Sequence, residues 1–172
     1  AVFLPVDSKA LLCVLNSKIV WEFLKSICVV RSGGYIEVKP QYFEQIPIPE
    51  IKNESALESK ANTIIELVND FQILASRFQN YISSQFSLEK LTRKLESWHE
   101  LDFSDFIKEI RKAGGGKLTK MDEMDWMEVF EAKKAEALSI KTRIEKTDKE
   151  INQMVYELYR LTEEEIKIVE NS

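Results

Sequence analysis

The chain has 172 residues, enough for one ordinary domain or for a small module joined to an elongated helical one. Its 24 Lys and Arg against 29 Asp and Glu give a net charge of −5, which argues against a stand-alone basic nucleic-acid binder. Two cysteines without CxxC spacing and a single histidine exclude a zinc site and a disulfide framework, and no apolar run approaches the roughly 20 residues that cross a bilayer.

These features imply a cytoplasmic protein with Cys13 and Cys28 as reduced thiols. The charge is unevenly spread. Residues 1–49 carry five basic and four acidic side chains and residues 88–120 carry eight and six, so the acidity falls on the predicted long helices. The opening Ala-Val-Phe-Leu-Pro5, without a methionine, reads as a chain already under way and predicts a fragment of a larger protein.

In chain order, Asp7 or Ser8 predicts the cap of a helix running to about Ser26, with a wide apolar stripe from Leu11 to Ile27. The stretch Arg31 to Pro49 follows as the one non-helical piece. Gly33 and Gly34 supply a tight turn, Tyr35 to Val38 reads as a short strand, and Pro40, Pro47 and Pro49 oppose a continuing helix. Arg31, Tyr35, Lys39, Gln41, Tyr42 and Gln45 gather there, side chains suited to base edges and phosphates, although the same residues also suit an ordinary turn and edge strand.

A capping box, Ser55-Ala-Leu-Glu58, predicts a long helix over 55–84 with a heptad seam Leu57, Ala61, Ile64, Val68, Phe71, Ala75, Phe78 and Ile82. Connector helices are expected over 87–121, capped by Ser87 and Ser104, with Trp98, Leu101, Phe103, Phe106 and Ile110 clustering beside a partly exposed His99. A second long helix over 122–161 carries Trp126, Phe130, Ala137, Ile140, Ile144, Thr147, Ile151, Met154, Leu158 and Leu161. A last capping box, Thr162-Glu-Glu-Glu165, starts a terminal helix over 162–171 with Ile166 and Val169 facing in.

The expected fold is therefore mainly α: a long antiparallel coiled-coil helix pair over 50–172, with a small, partial α+β module at 1–49. Catalytic readings are weak. Gly114-Gly-Gly-Lys117 lacks both the earlier glycine and the following Ser or Thr of a phosphate loop and reads as a helix-ending loop. Glu37-Val-Lys39 with Asp7 only faintly matches a nuclease metal site, and Asp7 is explained as a cap. No residue of the chain is assigned a catalytic or metal-binding role.

The runs Leu-Leu-Cys-Val-Leu-Asn-Ser-Lys18 and Arg31-Ser-Gly-Gly-Tyr-Ile-Glu-Val-Lys-Pro-Gln-Tyr-Phe-Glu-Gln-Ile-Pro-Ile-Pro49 resemble the C-terminal target-recognition region of type IIG restriction-modification enzymes, the TaqI-like specificity domain. The segments Lys90 to Trp98, Leu101 to Phe103 and Lys146 to Glu170 are similar to the closing part of the same family. The resemblance implies a parent that fuses an endonuclease, an adenine-specific DNA methyltransferase and a specificity region, of which this chain is the last part. S-adenosylmethionine and Mg are then expected in the parent alone, because an Asn-Pro-Pro-Tyr motif and a cofactor loop are absent here.

It also implies double-stranded DNA and the parent's upstream domains as partners, the paired helices acting as a spacer, as in related type I specificity subunits. Within that reading Arg31 and Lys39 contact phosphate or guanine, Gln41 reads adenine, and Tyr35 and Tyr42 pack on the sugar-phosphate wall. The alternative is a coiled-coil module that binds a helical partner or forms a homodimer through residues 55–84 and 122–161, without DNA contact.

Overall fold

The computed structural model describes residues 7–30, 33 and 35–171. The single helix expected up to Ser26 is two, α1 (Lys9–Leu15) and α2 (Lys18–Ile27). Ser8, not Asp7, caps α1, its Oγ accepting the Leu11 N–H at 3.1 Å. The break is made by short polar side chains. The Asn16 amide donates to the Leu12 carbonyl at 2.9 Å, and the buried Ser17 hydroxyl donates to the Val14 carbonyl at 2.6 Å. Side chains that satisfy backbone groups in this way compete with the helix, and Ser17 is extended at φ −70°, ψ 154°. The Lys18 N–H that opens α2 is then accepted by Asn152 Oδ1 at 2.8 Å, so a residue distant in sequence satisfies the new helix start.

The strand expected over Tyr35 to Val38 is shorter. Strands β1 (Val29–Val30) and β2 (Ile36–Glu37) form a two-residue antiparallel ladder in the register Val29 to Glu37 and Val30 to Ile36. Pro40 does not forbid a helix but opens one, α3 (Pro40–Phe43), at the first helical position, where its missing N–H costs nothing.

The two long helices are present as α4 (Glu54–Gln85) and, after the connector, Lys120–Tyr159. The predicted capping box at Ser55 is not made: α4 starts one residue earlier and the Ser55 hydroxyl donates to Asn53 Oδ1 at 3.3 Å. Its buried seam keeps Leu57, Ala61, Phe78 and Ile82, but Leu67 and Leu74 replace the expected Val68 and Ala75, and Val68 stays 38 % exposed. Neighbouring positions on a helix lie about 100° apart, so either can face inward, and here the larger side chain does.

In the connector, Ser87 ends α4 instead of starting a helix. It takes the left-handed conformation (φ +50°) while the Leu88 N–H bonds the Ser83 carbonyl at 2.9 Å, a Schellman closure. The connector then holds α5 (Arg93–Glu96), a 3-10 turn at Trp98–Glu100, and α6 (Phe103–Lys112). Thr92 and Asp102, not Ser87 and Ser104, supply the capping oxygens. The Gly114 run closes α6 in the same way as Ser87, with Gly114 at φ +98° and the Gly115 N–H on the Ile110 carbonyl. A Cβ on Gly115 would meet Ile110 Cγ2 at 2.5 Å, so this loop packs tightly on its helix. The second long helix is α7 (Lys120–Tyr159), and α8 (Glu163–Glu170) follows with its predicted Thr162 and Glu165 capping box complete.

Contacts divide the chain into two units. The first holds the described residues up to 65 and from 146 on, the second residues 66–145. The core of the first is aliphatic: Ala10, Val14, Val20, Leu24, Leu57, Ile151 and Val155. That of the second is aromatic: Trp98, Phe78, Phe106 and Phe130 with Leu95, Ile107 and Ile110.

Candidate nucleic-acid interface

The residues expected to face DNA occupy β2, α3 and their flanks in the first unit. Arg31 lies outside the described residues. Gly33 has φ +91°, a conformation that disfavours any side chain, and a Cβ there would stand 3.4 Å from the Tyr35 ring. Beyond it Tyr35 projects with 76 % of its surface exposed.

Lys39 caps α3 through its backbone, its carbonyl accepting the Tyr42 N–H at 2.9 Å and the Phe43 N–H at 3.1 Å. Its exposed Nζ lies 3.8 Å from Glu37 Oε1. Gln41 is exposed, and its carbonyl accepts the Gln45 side-chain amide at 2.8 Å, which draws Gln45 back onto the helix. Tyr42 differs. It is half-buried and packs with Phe43, Ile36 and Val38 against the aliphatic core, because α3 must cover an apolar surface that the two-residue ladder cannot. The segment is anchored a second time beyond α3: Ile46 is buried and the Tyr159 hydroxyl donates to the Pro47 carbonyl at 2.7 Å. Burial raises the pKa of that phenol, so it stays a donor.

The structure therefore brings Tyr35, Lys39 and Gln41 to the surface of one doubly anchored turn, with Tyr42 as its inward anchor. Electrostatically the turn is quiet. Lys9 donates to Asn62, Lys18 pairs with Glu170 at 3.5 Å, Lys25 pairs with Glu22 at 2.8 Å, and Lys39 faces Glu37. The Lys39 and Glu37 pair on the turn is exposed and worth about 0–1 kcal/mol, so a phosphate can displace it at small cost. Trp21, on α2, escaped the sequence reading. It is 48 % exposed and falls between the inward positions Val20 and Leu24, so its place off the stripe is the signal that marks it as a free aromatic surface of this unit.

His99 corrects an expectation. It is not partly exposed but buried, with 7 % of its surface accessible, edge-on to Phe71 at 5.0 Å, and its Nδ1 has no hydrogen-bond partner among the described residues. Desolvation first, and then Lys141, holds its pKa below the ordinary value, with Glu100 opposing. Cys13 and Cys28 are free and buried. Among the described residues no group of three or more His, Cys, Asp or Glu could hold a metal ion, and no helix is long and apolar enough to cross a membrane.

No curated protein and no solved structure matches the chain. One family does, over residues 50–155, a span that begins just past the turn and takes in α4, the connector and α7 up to Val155. On that match the chain belongs to the family described as a domain of unknown function, DUF8810.

Proposed function

We propose that this chain is the DNA sequence-recognition and spacer part of a restriction-modification enzyme, whose other parts are an adenine-specific methyltransferase using S-adenosylmethionine and a Mg-dependent endonuclease. Residues 1–49 serve as a partial α+β target-recognition module, and α4 with α7 as an antiparallel coiled-coil spacer. The observation that carries the reading is the turn itself, where Tyr35, Lys39 and Gln41 stand exposed on a segment held from below by Tyr42, Ile46 and the Tyr159 hydroxyl. A rigid base beneath exposed polar groups is what base reading requires.

Each group has a role. The Gln41 amide suits the N6 and N7 edge of adenine, Lys39 and Arg31 suit guanine or phosphate, and Tyr35 suits packing on the sugar-phosphate wall. Tyr42 is reassigned to anchoring. The antiparallel spacer is supported inside each unit. In the first, Lys60 near the start of α4 pairs with Glu150 near the end of α7; in the second, Tyr81 near the end of α4 lies 5.5 Å from Trp126 near the start of α7.

The test is fluorescence-anisotropy titration of the chain with a mixed-sequence duplex across a salt series. Expected is binding that weakens linearly in log Kd against log salt, with a slope reduced by about one in Lys39→Ala and in Arg31→Ala. In the full-length parent the same substitutions lower site-specific methylation. Absence of binding at low salt, or unchanged methylation in both variants, overturns the assignment and leaves the protein-interaction reading.

A further inference from the structure

Between α4 and α7, inside the second unit, runs a groove of about 630 Å³ walled by Asp70, Ile73, Arg77 and Tyr81 on one side and Val129, Lys133, Glu136 and Ile140 on the other. Its apolar side chains are unusually open for a seam that is otherwise packed. Ile73 is 42 % and Val129 40 % exposed, and Tyr81 is exposed as well. Asp70 and Arg77 are exposed and have no ion-pair partner among the described residues, although they lie one heptad apart on the same face.

The order of these residues is self-complementary. On α4, Asp70 and Arg77 are equidistant from the point between Ile73 and Leu74. On α7, Lys133 and Glu136 flank the point between Lys134 and Ala135, and Val129 and Ile140 flank the same point farther out. From the contact of Tyr81 with Trp126 the groove extends back along α4 and forward along α7, and both points lie about 11–13 Å along it at 1.5 Å per residue. One axis crossing both helices at these points is therefore geometrically available.

We infer that the groove is the self-association surface of this chain, covered by a second copy related by that two-fold axis. The second copy's α4 then lies antiparallel on α4, and its α7 on α7. Asp70 faces the second copy's Arg77, and Lys133 and Glu136, which pair with each other at 2.8 Å within α7, come opposite the second copy's Glu136 and Lys133, each contact occurring twice as an isologous interface demands. Ile73 meets its own counterpart at the axis, and Val129 meets the second copy's Ile140. A groove with a neutral, sign-alternating rim matches its own copy, whereas a strongly acidic or basic partner helix would leave half of the rim repelled. The inference does not depend on DNA binding, and the anisotropy test above leaves it untouched.

Sedimentation velocity of the full chain at micromolar concentration tests it, with Asp70→Arg and Arg77→Asp as variants. Both positions are exposed, and circular dichroism checks that each variant keeps its helices. Wild type is expected to dimerise. Each variant places two like-charge pairs across the axis and should weaken the dimer by ~10-fold or more. Mixing the two variants restores attraction at both pairs, so the mixture should dimerise although neither variant does alone. A monomeric wild type, variants that dimerise like wild type, or a mixture that stays monomeric would each overturn the inference, the first of them leaving the groove to another occupant.

Discussion

In the second unit burial rests on aromatic rings: Phe106 stacks on Phe130 at 4.6 Å, and Phe78 meets Trp98 edge-on at 4.3 Å. In the first it rests on small and aliphatic side chains threaded by bonded polar groups, with Ser17 on the Val14 carbonyl, Asn152 on the Lys18 N–H and Tyr156 on Glu170. The polar accounting differs accordingly. Trp98 Nε1 and His99 Nδ1 in the second unit have no hydrogen-bond partner among the described residues. Each orphaned group costs about 1–3 kcal/mol, which a cluster of rings burying 150–250 Å² apiece can carry. The aliphatic unit uses its hydrogen bonds to fix where α1 stops and α2 starts.

The largest expected effect breaks the aromatic side of that contrast. Phe106→Ala empties a fully buried site among Phe78, Phe103, Phe130 and Trp126, and should destabilise the chain by ~3–5 kcal/mol in urea denaturation. A loss near 1 kcal/mol would mean that the ring cluster is not what holds this unit. Next comes the polar side. Asn152→Ala removes the acceptor of the Lys18 N–H and should cost about 1–3 kcal/mol, although it removes far less apolar area. Hydrogen exchange should then show the α2 amides opening more readily, while those of α6 keep their protection.

The smallest effect sharpens the contrast through pH. Because the folded chain holds the His99 pKa below its unfolded value of about 6.5, the unfolded chain takes up the proton first, and stability is lost as pH falls through about 6.5 toward the folded value. The melting temperature of wild type should therefore drop more between pH about 7.5 and 5.5 than that of His99→Gln, which has no such group to titrate. Equal slopes would show that the imidazole finds a partner when protonated.

Much of the fold was legible in the chain because it rests on local rules. The two long helices, the Thr162 and Glu165 box and the cluster of Trp98, Phe106 and Ile110 follow from periodicity and capping chemistry. The ends of the two long helices fell within two residues of the expected places, but their left-handed closures at Ser87 (φ +50°) and Arg160 (φ +56°) were not legible, since neither residue type announces that conformation as glycine does. The candidate interface was half legible. The glycine turn marked where it lies, but aromatic side chains at Tyr35 and Tyr42 look alike in sequence, and only the position of the core made one an exposed group and the other an anchor.

The sequence by itself determined that this protein is mainly helical, where its two long helices run and where the Gly33 turn falls, because those depend on residues within a turn or two of each other. The tertiary structure decided which of two adjacent apolar residues faces in, as with Leu67 over Val68, and where the first helix breaks. It also decided which face of α4 and α7 stays open. Each of these depends on partners far along the chain, such as Asn152 for Lys18, and a local pattern carries no information about what will be opposite it.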